Sequence, residues 1–158
     1  MEEIISYNNV LAIVLAYLIG SVPSAVWVSK WFFGIDVRDH GSKNAGATNT
    51  FRVIGKRAGF PVLFFDILKG WGAVKGLSYL FTTYELGSNQ FVNLQLAIGM
   101  TAVFGHVFPI YARFKGGKGV ATLLGIILAI NFPAAAVSFI IFLVTYLISQ
   151  YVSLGAIM

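Results

Sequence analysis

The sequence predicts an all-α integral membrane protein with about five transmembrane segments, one of them short or broken. Of its 158 residues, 58% are hydrophobic and only 11% are charged, which is too apolar a composition for one soluble core. The charges also gather in short stretches between long apolar runs. Several of these runs approach the roughly 20 residues that cross a ~30 Å hydrocarbon layer as a helix.

The charge balance and the lack of cysteine limit the possible functions. The chain has 11 Lys and Arg against 6 Asp and Glu, a formal net charge of +5. In so apolar a chain a basic excess indicates membrane orientation and anionic head groups or substrates. We expect no nucleic-acid partner, because no soluble basic module with base-stacking aromatics is present. Without cysteine, disulfides, thiolate catalysis and cysteine metal sites are excluded.

The first predicted span covers residues 10–28, and Pro23 should kink or end its helix. The chain begins Met-Glu-Glu, without a basic signal-peptide start, so we expect this span to remain as an anchor. Residues 30–57 carry most of the basic side chains. By the positive-inside rule they lie in the cytoplasm, with the N-terminus outside. Pro23 either shapes a site or is simply tolerated in a membrane helix.

The second predicted span, residues 60–81, contains Asp66, Lys69 and Lys75. Ionisable groups at membrane depth are costly, so these side chains should face protein or a water-filled cavity. Asp66 and Lys69 are three residues apart on a helix and can neutralise each other. Direct contact with a substrate is the alternative.

The third predicted span, residues 91–112, returns inward after a short outer loop and ends near His106. From residue 119 onward the chain has no charge, and Asn131-Phe-Pro133 divides this run. Residues 119–130 reach only about 18 Å as a helix, so we expect a short fourth helix that begins inside the membrane. A fifth span over residues 133–151 leaves the C-terminus in the cytoplasm.

The polar stretch Gly41–Arg52 is one candidate half of a binding site. It offers small hydrogen-bonding side chains, and Arg52 can grip phosphate with two parallel hydrogen bonds. The neutral hydrogen-bonding residues are Ser42, Asn44, Thr48 and Asn49. A solvated turn with helix-capping side chains is the alternative.

The second candidate half is Phe114–Thr122, Phe-Lys-Gly-Gly-Lys-Gly-Val-Ala-Thr, on the same predicted membrane side. Its glycines allow successive N–H groups to converge on an anion, and a helix that begins near Val120 adds partial positive charge. The spacing fits neither a Walker A loop nor a dinucleotide fingerprint. A basic turn at the membrane surface is the alternative. His106 is either a general acid or phosphate ligand, or a structurally satisfied histidine.

No acidic cluster accompanies these loops, so we expect no metal and no cofactor. A reaction here would depend on phosphate positioning and electrostatics.

The ordered motifs resemble those of the bacterial acyl-phosphate:glycerol-3-phosphate acyltransferases of the PlsY type, over nearly the whole chain. The motifs that carry the resemblance are Gly20-Ser-Val-Pro23, Gly41-Ser-Lys-Asn-Ala-Gly-Ala-Thr-Asn49 with Arg52, Gly55-Lys56, Asp66-Ile-Leu-Lys-Gly70, Gly105-His-Val-Phe-Pro109 and Phe114-Lys-Gly-Gly-Lys-Gly-Val-Ala-Thr122. The family continues beyond Leu154 into a third motif with His and Asn. We therefore expect residues 1–158 to form a single, C-terminally shortened acyltransferase domain.

The resemblance implies transfer of a fatty acyl group from acyl phosphate to the 1-hydroxyl of glycerol 3-phosphate, which gives lysophosphatidic acid and phosphate. The site would face the cytoplasm at the bacterial inner membrane, in contact with membrane lipid. The implied catalytic residues are Ser42, Arg52, His106 and Lys118. The implied substrate-binding residues are Asn44, Asn49, Lys115, Gly116, Gly117, Gly119 and Ser153. The residues alone leave open a transporter or a binding protein for an organic phosphate, although no internal repeat favours transport.

Overall fold

The computed structural model describes residues 7–149, which form helices and no strand. The α-helices are α1 (Tyr7–Gly20), α2 (Ser24–Phe33), α3 (Ala47–Val53), α4 (Lys56–Gly72), α5 (Ser78–Phe81), α6 (Asn89–Val107), α7 (Val120–Ile130) and α8 (Phe132–Ser149). Two helical segments are long and apolar enough to cross a membrane, Tyr7–Phe33 with 27 residues and Asn89–Ala112 with 24. Two shorter apolar helices are Val120–Ile130 and Phe132–Ile141.

The first segment is broken at Pro23, as the sequence predicts. α1 ends at Gly20 and α2 starts at Ser24, because proline has no N–H for a helical hydrogen bond. The predicted end at residue 28 is wrong, since α2 continues to Phe33. It ends where Gly34 takes a left-handed conformation, at φ 70°, and its N–H bonds to the Lys30 carbonyl oxygen.

The second segment is continuous from Lys56 to Phe81 and therefore begins before the predicted residue 60. Gly55, at φ 102°, turns the chain directly into α4. A π-helical stretch, Ala73–Leu77, joins α4 to α5. The third segment ends at the predicted residue 112: α6 stops at Val107 ahead of Pro109, and one 3₁₀ turn, Ile110–Ala112, completes the segment. The fourth agrees with the sequence, since the 11 residues of α7 span only about 16 Å.

Glycines bring two pairs of helices into backbone contact. In the pair α1 and α6, a Cβ at Gly20 would collide with the carbonyl group of Ala102, and one at Gly105 with the Tyr17 carbonyl oxygen. In the pair α4 and α7, a Cβ at Gly125 would collide with the Ile67 carbonyl oxygen. Such small-residue contacts are typical of helix packing in membranes. They hold α7 against α4, and the candidate site lies at the start of α7.

Candidate active site

The side chain of Asn49 organises the first polar stretch. Its Nδ2 donates to three backbone carbonyl oxygens, those of Val37 at 2.9 Å and of His40 and Asn44 at 3.1 Å. Its Oδ1 accepts from the Ser42 N–H at 2.9 Å. The side chain is buried, with 1% exposed. Asn49 therefore holds the loop in shape, and its polar atoms already have partners inside the protein.

Two glycines of the second polar stretch make backbone hydrogen bonds to the end of α6. Gly116 N–H donates to the Val107 carbonyl oxygen and Gly117 N–H to that of His106, both at 3.2 Å. A Cβ at Gly116 would collide with the His106 carbonyl oxygen, and one at Gly117 with His106 Nε2. These two N–H groups therefore satisfy helix-end carbonyls rather than facing an anion.

The two stretches are tied together directly. The Ala45 N–H donates to the Gly116 carbonyl oxygen at 3.4 Å. Shortly before each stretch, a further bond joins the same two segments: Arg38 Nη1 donates to the Ala112 carbonyl oxygen at 3.0 Å. The structure thus brings together the two motifs that the sequence places far apart.

Between the two stretches lies a cavity of about 310 Å³. It is lined by Ser42, Asn44, Gly46, Ala47, Thr48, Asn49, Arg52, Leu63, Asp66, His106, Lys118, Gly119, Val120, Ala121 and Leu124. This set contains seven of the candidate residues, namely Ser42, Asn44, Asn49, Arg52, His106, Lys118 and Gly119. Lys115, Gly116 and Gly117 do not line the cavity, and Lys115 is exposed to solvent. Ser153 lies outside the described residues.

One side of the cavity is suited to anions. Arg52 and Lys118 make no salt bridge with any residue in the range 7–149. Gly119, at φ 80°, leads into α7, and the first-turn N–H groups of a helix have no partner within it. Their partial positive charge adds to that of the two side chains. Phosphate is the common ligand that matches such a site.

The cavity lining also includes apolar side chains, which the sequence interpretation missed. They are Leu63 from α4 and Val120, Ala121 and Leu124 from α7. Residues 120 and 124 are four positions apart and lie on one helix face, so their spacing in the sequence could have predicted this apolar lining. A ligand that fills the whole cavity would have an anionic part and an apolar part.

A buried ion pair lies beside the cavity, as the sequence predicts. Lys69 Nζ is 2.9 Å from Asp66 Oδ1, and both side chains are almost completely buried. Lys69 also donates to the Val22 carbonyl oxygen at 2.7 Å, and the Ser24 hydroxyl donates to Asp66 Oδ1 at 2.6 Å. The pair thereby fastens α4 to the break between α1 and α2. Lys75, by contrast, is half-buried and lies over the ring of Tyr79.

Outside the helices, Asp36 anchors the start of the first polar stretch. Its carboxylate accepts from Arg38 Nη2 at 2.7 Å and Nε at 3.0 Å, and Lys30 Nζ lies 3.0 Å away. Hydrogen bonding from Arg38 holds the pKa of the Asp36 carboxyl well below its usual range. The same pairing raises the pKa of Arg38. Among residues 7–149, no group of three or more His, Asp or Glu side chains is placed to hold a metal ion.

Residues 10–158 match the family model of glycerol-3-phosphate acyltransferase. The chain belongs to this family. It is 49% identical to the glycerol-3-phosphate acyltransferase of Enterococcus faecalis over 145 residues, which is 92% of this chain and 63% of that protein. The Staphylococcus haemolyticus relative is 44% identical over 94% of this chain and 73% of its own length. The chain therefore spans roughly two thirds of the length of these relatives.

The fold is similar to crystal structures of PlsY (YgiH), an integral membrane glycerol 3-phosphate acyltransferase. The glycerol 3-phosphate form matches with a TM-score of 0.76 at 37% identity, over 94% of this chain and 70% of that one. The lysophosphatidic acid form matches with a TM-score of 0.72 at 36% identity. In the part that the structure describes, the chain is therefore all-helical and resembles the integral membrane acyltransferase PlsY.

Proposed function

We propose that the chain transfers a fatty acyl group from acyl phosphate to the 1-hydroxyl of glycerol 3-phosphate, giving lysophosphatidic acid and phosphate. The observation that carries the proposal is the mixed lining of the cavity, which combines Arg52 and Lys118 with the apolar Leu63 and Leu124. Within residues 7–149 neither cation makes a salt bridge. An acyl phosphate has the same division, a charged head on a hydrocarbon chain. Family membership and the glycerol 3-phosphate and lysophosphatidic acid forms of PlsY support this choice.

The chemistry needs no protein nucleophile. The acceptor hydroxyl adds to the carbonyl carbon of acyl phosphate, its proton passes to a base, and the bond from that carbon to the phosphate oxygen breaks. Negative charge then collects on the departing phosphate and on the carbonyl oxygen. Arg52, Lys118 and the first turn of α7 can stabilise that charge, because all three line the cavity.

The residue roles follow the geometry. Ser42 and Asn44 donate or accept hydrogen bonds to substrate from the cavity wall, and Gly119 starts the anion-binding turn. Asn49 and the two glycines at 116 and 117 shape the site through their internal contacts. Lys115 attracts anionic substrate from the exposed surface. Ser153 stays a proposed substrate-binding residue on the resemblance alone.

The proposed setting is the bacterial inner membrane, with residues 1–158 as one domain. Five spans would place the N-terminus outside and the C-terminus in the cytoplasm. The basic residues on both polar stretches support a cytoplasmic site under the positive-inside rule. The partners are acyl phosphate, glycerol 3-phosphate and membrane lipid, with no cofactor.

The test uses the purified chain in lipid nanodiscs with acyl phosphate and labelled glycerol 3-phosphate. We expect labelled lysophosphatidic acid to form. Lys118→Ala should lower turnover at least about 100-fold, since it removes a charge that stabilises the leaving phosphate. Lys115→Ala is the matched control and should keep most activity, because Lys115 is outside the cavity.

Absence of product from the unmutated chain would contradict the proposal. Retained turnover in Lys118→Ala would remove Lys118 from the site. The transport alternative would instead give uptake of labelled glycerol 3-phosphate into proteoliposomes without any acylated product.

A further inference from the structure

The imidazole of His106 is held between two fixed surfaces. On one side, Nδ1 lies 3.5 Å from Asp66 Oδ1, which is too far for a hydrogen bond, and this buried nitrogen has no hydrogen-bond partner among the described residues. On the other side the ring packs against Gly117, where a Cβ would collide with Nε2. The side chain is 5% exposed, and the residue lines the cavity. With Nδ1 turned toward Asp66, Nε2 is the nitrogen left for a ligand.

The surroundings of Asp66 indicate which nitrogen carries the proton. Asp66 Oδ1 already accepts from Ser24 and Lys69, so it acts as an acceptor toward every neighbour. A nitrogen that faces an acceptor is stable there only if it carries hydrogen. Of the two neutral tautomers of the ring, the one with hydrogen on Nδ1 meets this condition.

We infer that Asp66 is a positioning residue that fixes His106 as the Nδ1–H tautomer, so that Nε2 offers a lone pair to the hydroxyl of the acyl acceptor. A bare nitrogen lone pair repels phosphate oxygens and accepts from O–H groups. His106 therefore meets the hydroxyl, while the phosphates lie at Arg52 and Lys118. The contact with the hydroxyl rests on the proposed function, whereas the tautomer does not.

The tautomer can be measured without any activity. The chain has two histidines, so ring ¹⁵N labelling gives two sets of NMR signals, and His40→Gln assigns them. His40 is exposed and outside the cavity. At neutral pH we expect His106 to show a protonated Nδ1 and an unprotonated Nε2. A signal from Nε2–H, or from the doubly protonated ring, would overturn the inference.

Two variants separate the carboxylate from general packing. Asp66→Asn should shift the His106 signals toward the Nε2–H tautomer. Ser24→Ala removes one hydrogen bond to Asp66 but keeps its charge, so the Nδ1–H tautomer should persist. If Asp66→Asn does not fold, the unmutated chain still decides the question. An unchanged tautomer in folded Asp66→Asn, or a changed one in Ser24→Ala, would contradict the role of Asp66.

Ligand titrations test the hydroxyl contact. Glycerol 3-phosphate should shift the Nε2 signal of His106. Propyl phosphate, whose dianion at pH 8 has no O–H group, should not do so at the same occupancy. Equal shifts with both, or no shift with bound glycerol 3-phosphate, would overturn the hydroxyl contact. Equilibrium dialysis measures binding separately. No binding of glycerol 3-phosphate would overturn the proposed function and the hydroxyl contact together, while the tautomer result would stand.

Discussion

Lys69 donates a hydrogen bond from its buried ammonium to the carbonyl oxygen of Val22, 2.7 Å away across the break between α1 and α2. That carbonyl directly precedes Pro23, which has no N–H. That carbonyl also accepts from the Ser24 N–H at 3.1 Å, so Lys69 gives the backbone at the break a second donor, and Asp66 balances the charge of Lys69 at 2.9 Å. The break and the ion pair form one structural unit.

Lys69→Met should therefore lower stability strongly. Removing one member of a buried ion pair leaves the other charge unpaired, which costs about 3–5 kcal/mol. Lys75→Met is the matched control and should change stability little, since Lys75 is only half-buried. Thermal unfolding in one detergent compares the two variants. Adding Asp66→Asn to Lys69→Met should recover part of the lost stability. Equal losses of stability in Lys69→Met and Lys75→Met would contradict the structural role of the ion pair.

Asn49→Asp should unfold the first polar stretch, although the Asp and Asn side chains have nearly the same shape. A carboxylate cannot donate to the carbonyl oxygens of Val37, His40 and Asn44, and each lost partner costs about 1–3 kcal/mol. Hydrogen exchange across residues 37–49 should therefore become faster. Asn44→Ala is the comparison, because its side chain lines the cavity. It should lower turnover without faster exchange, and matching exchange in both variants would argue against Asn49 as the organiser.

Gly117→Ala should reduce catalysis by moving an imidazole. The new Cβ would collide with His106 Nε2, and a displacement of about 1 Å at a reacting group can cost roughly 100-fold. We expect kcat/KM to fall at least about tenfold and the unfolding temperature to fall as well, because the new Cβ would also crowd the Ala45 carbonyl oxygen. Gly72→Ala adds the same methyl group where nothing lies within 4 Å, and it should keep full activity. Undiminished kcat/KM in Gly117→Ala would refute this contact.

Asp36→Asn should make stability less dependent on acid pH. The pKa of Asp36 is depressed in the folded chain, so its stabilising effect is complete above the unfolded value of about 3.9 and disappears as the pH falls below that. The variant should unfold at a lower temperature than the parent at pH 7. The difference in unfolding temperature between parent and variant should narrow as the pH is lowered from about 4. A difference that widens over that range would contradict the prediction.

Sequence reasoning predicted features that depend on single residues or short spacing. The helix break at Pro23, the pairing of Asp66 with Lys69 and the short α7 follow from local chemistry. The sequence also indicated two basic residues, Arg52 and Lys118, and both line the cavity.

Features that depend on contacts between distant segments could not be predicted. The sequence predicts Asn49 as a substrate-binding amide, but it does not show that the carbonyl oxygens of Val37 and His40 accept from this side chain. The sequence around Gly116 and Gly117 predicts a phosphate-binding loop. It cannot show the hydrogen bonds from these glycines to the end of α6, because those bonds exist only after the two segments pack. The π-helical stretch in residues 73–77 likewise has no clear local signal.

The tie between Ala45 and Gly116 also has a consequence for folding. It closes a long loop of chain, so it forms only after the loop-closure entropy has been overcome and α6 has docked. The cavity is therefore absent from any partly folded state in which the two stretches are apart. An anion that binds only the completed cavity will shift the equilibrium toward the folded chain, so phosphate in the medium should act as a folding ligand.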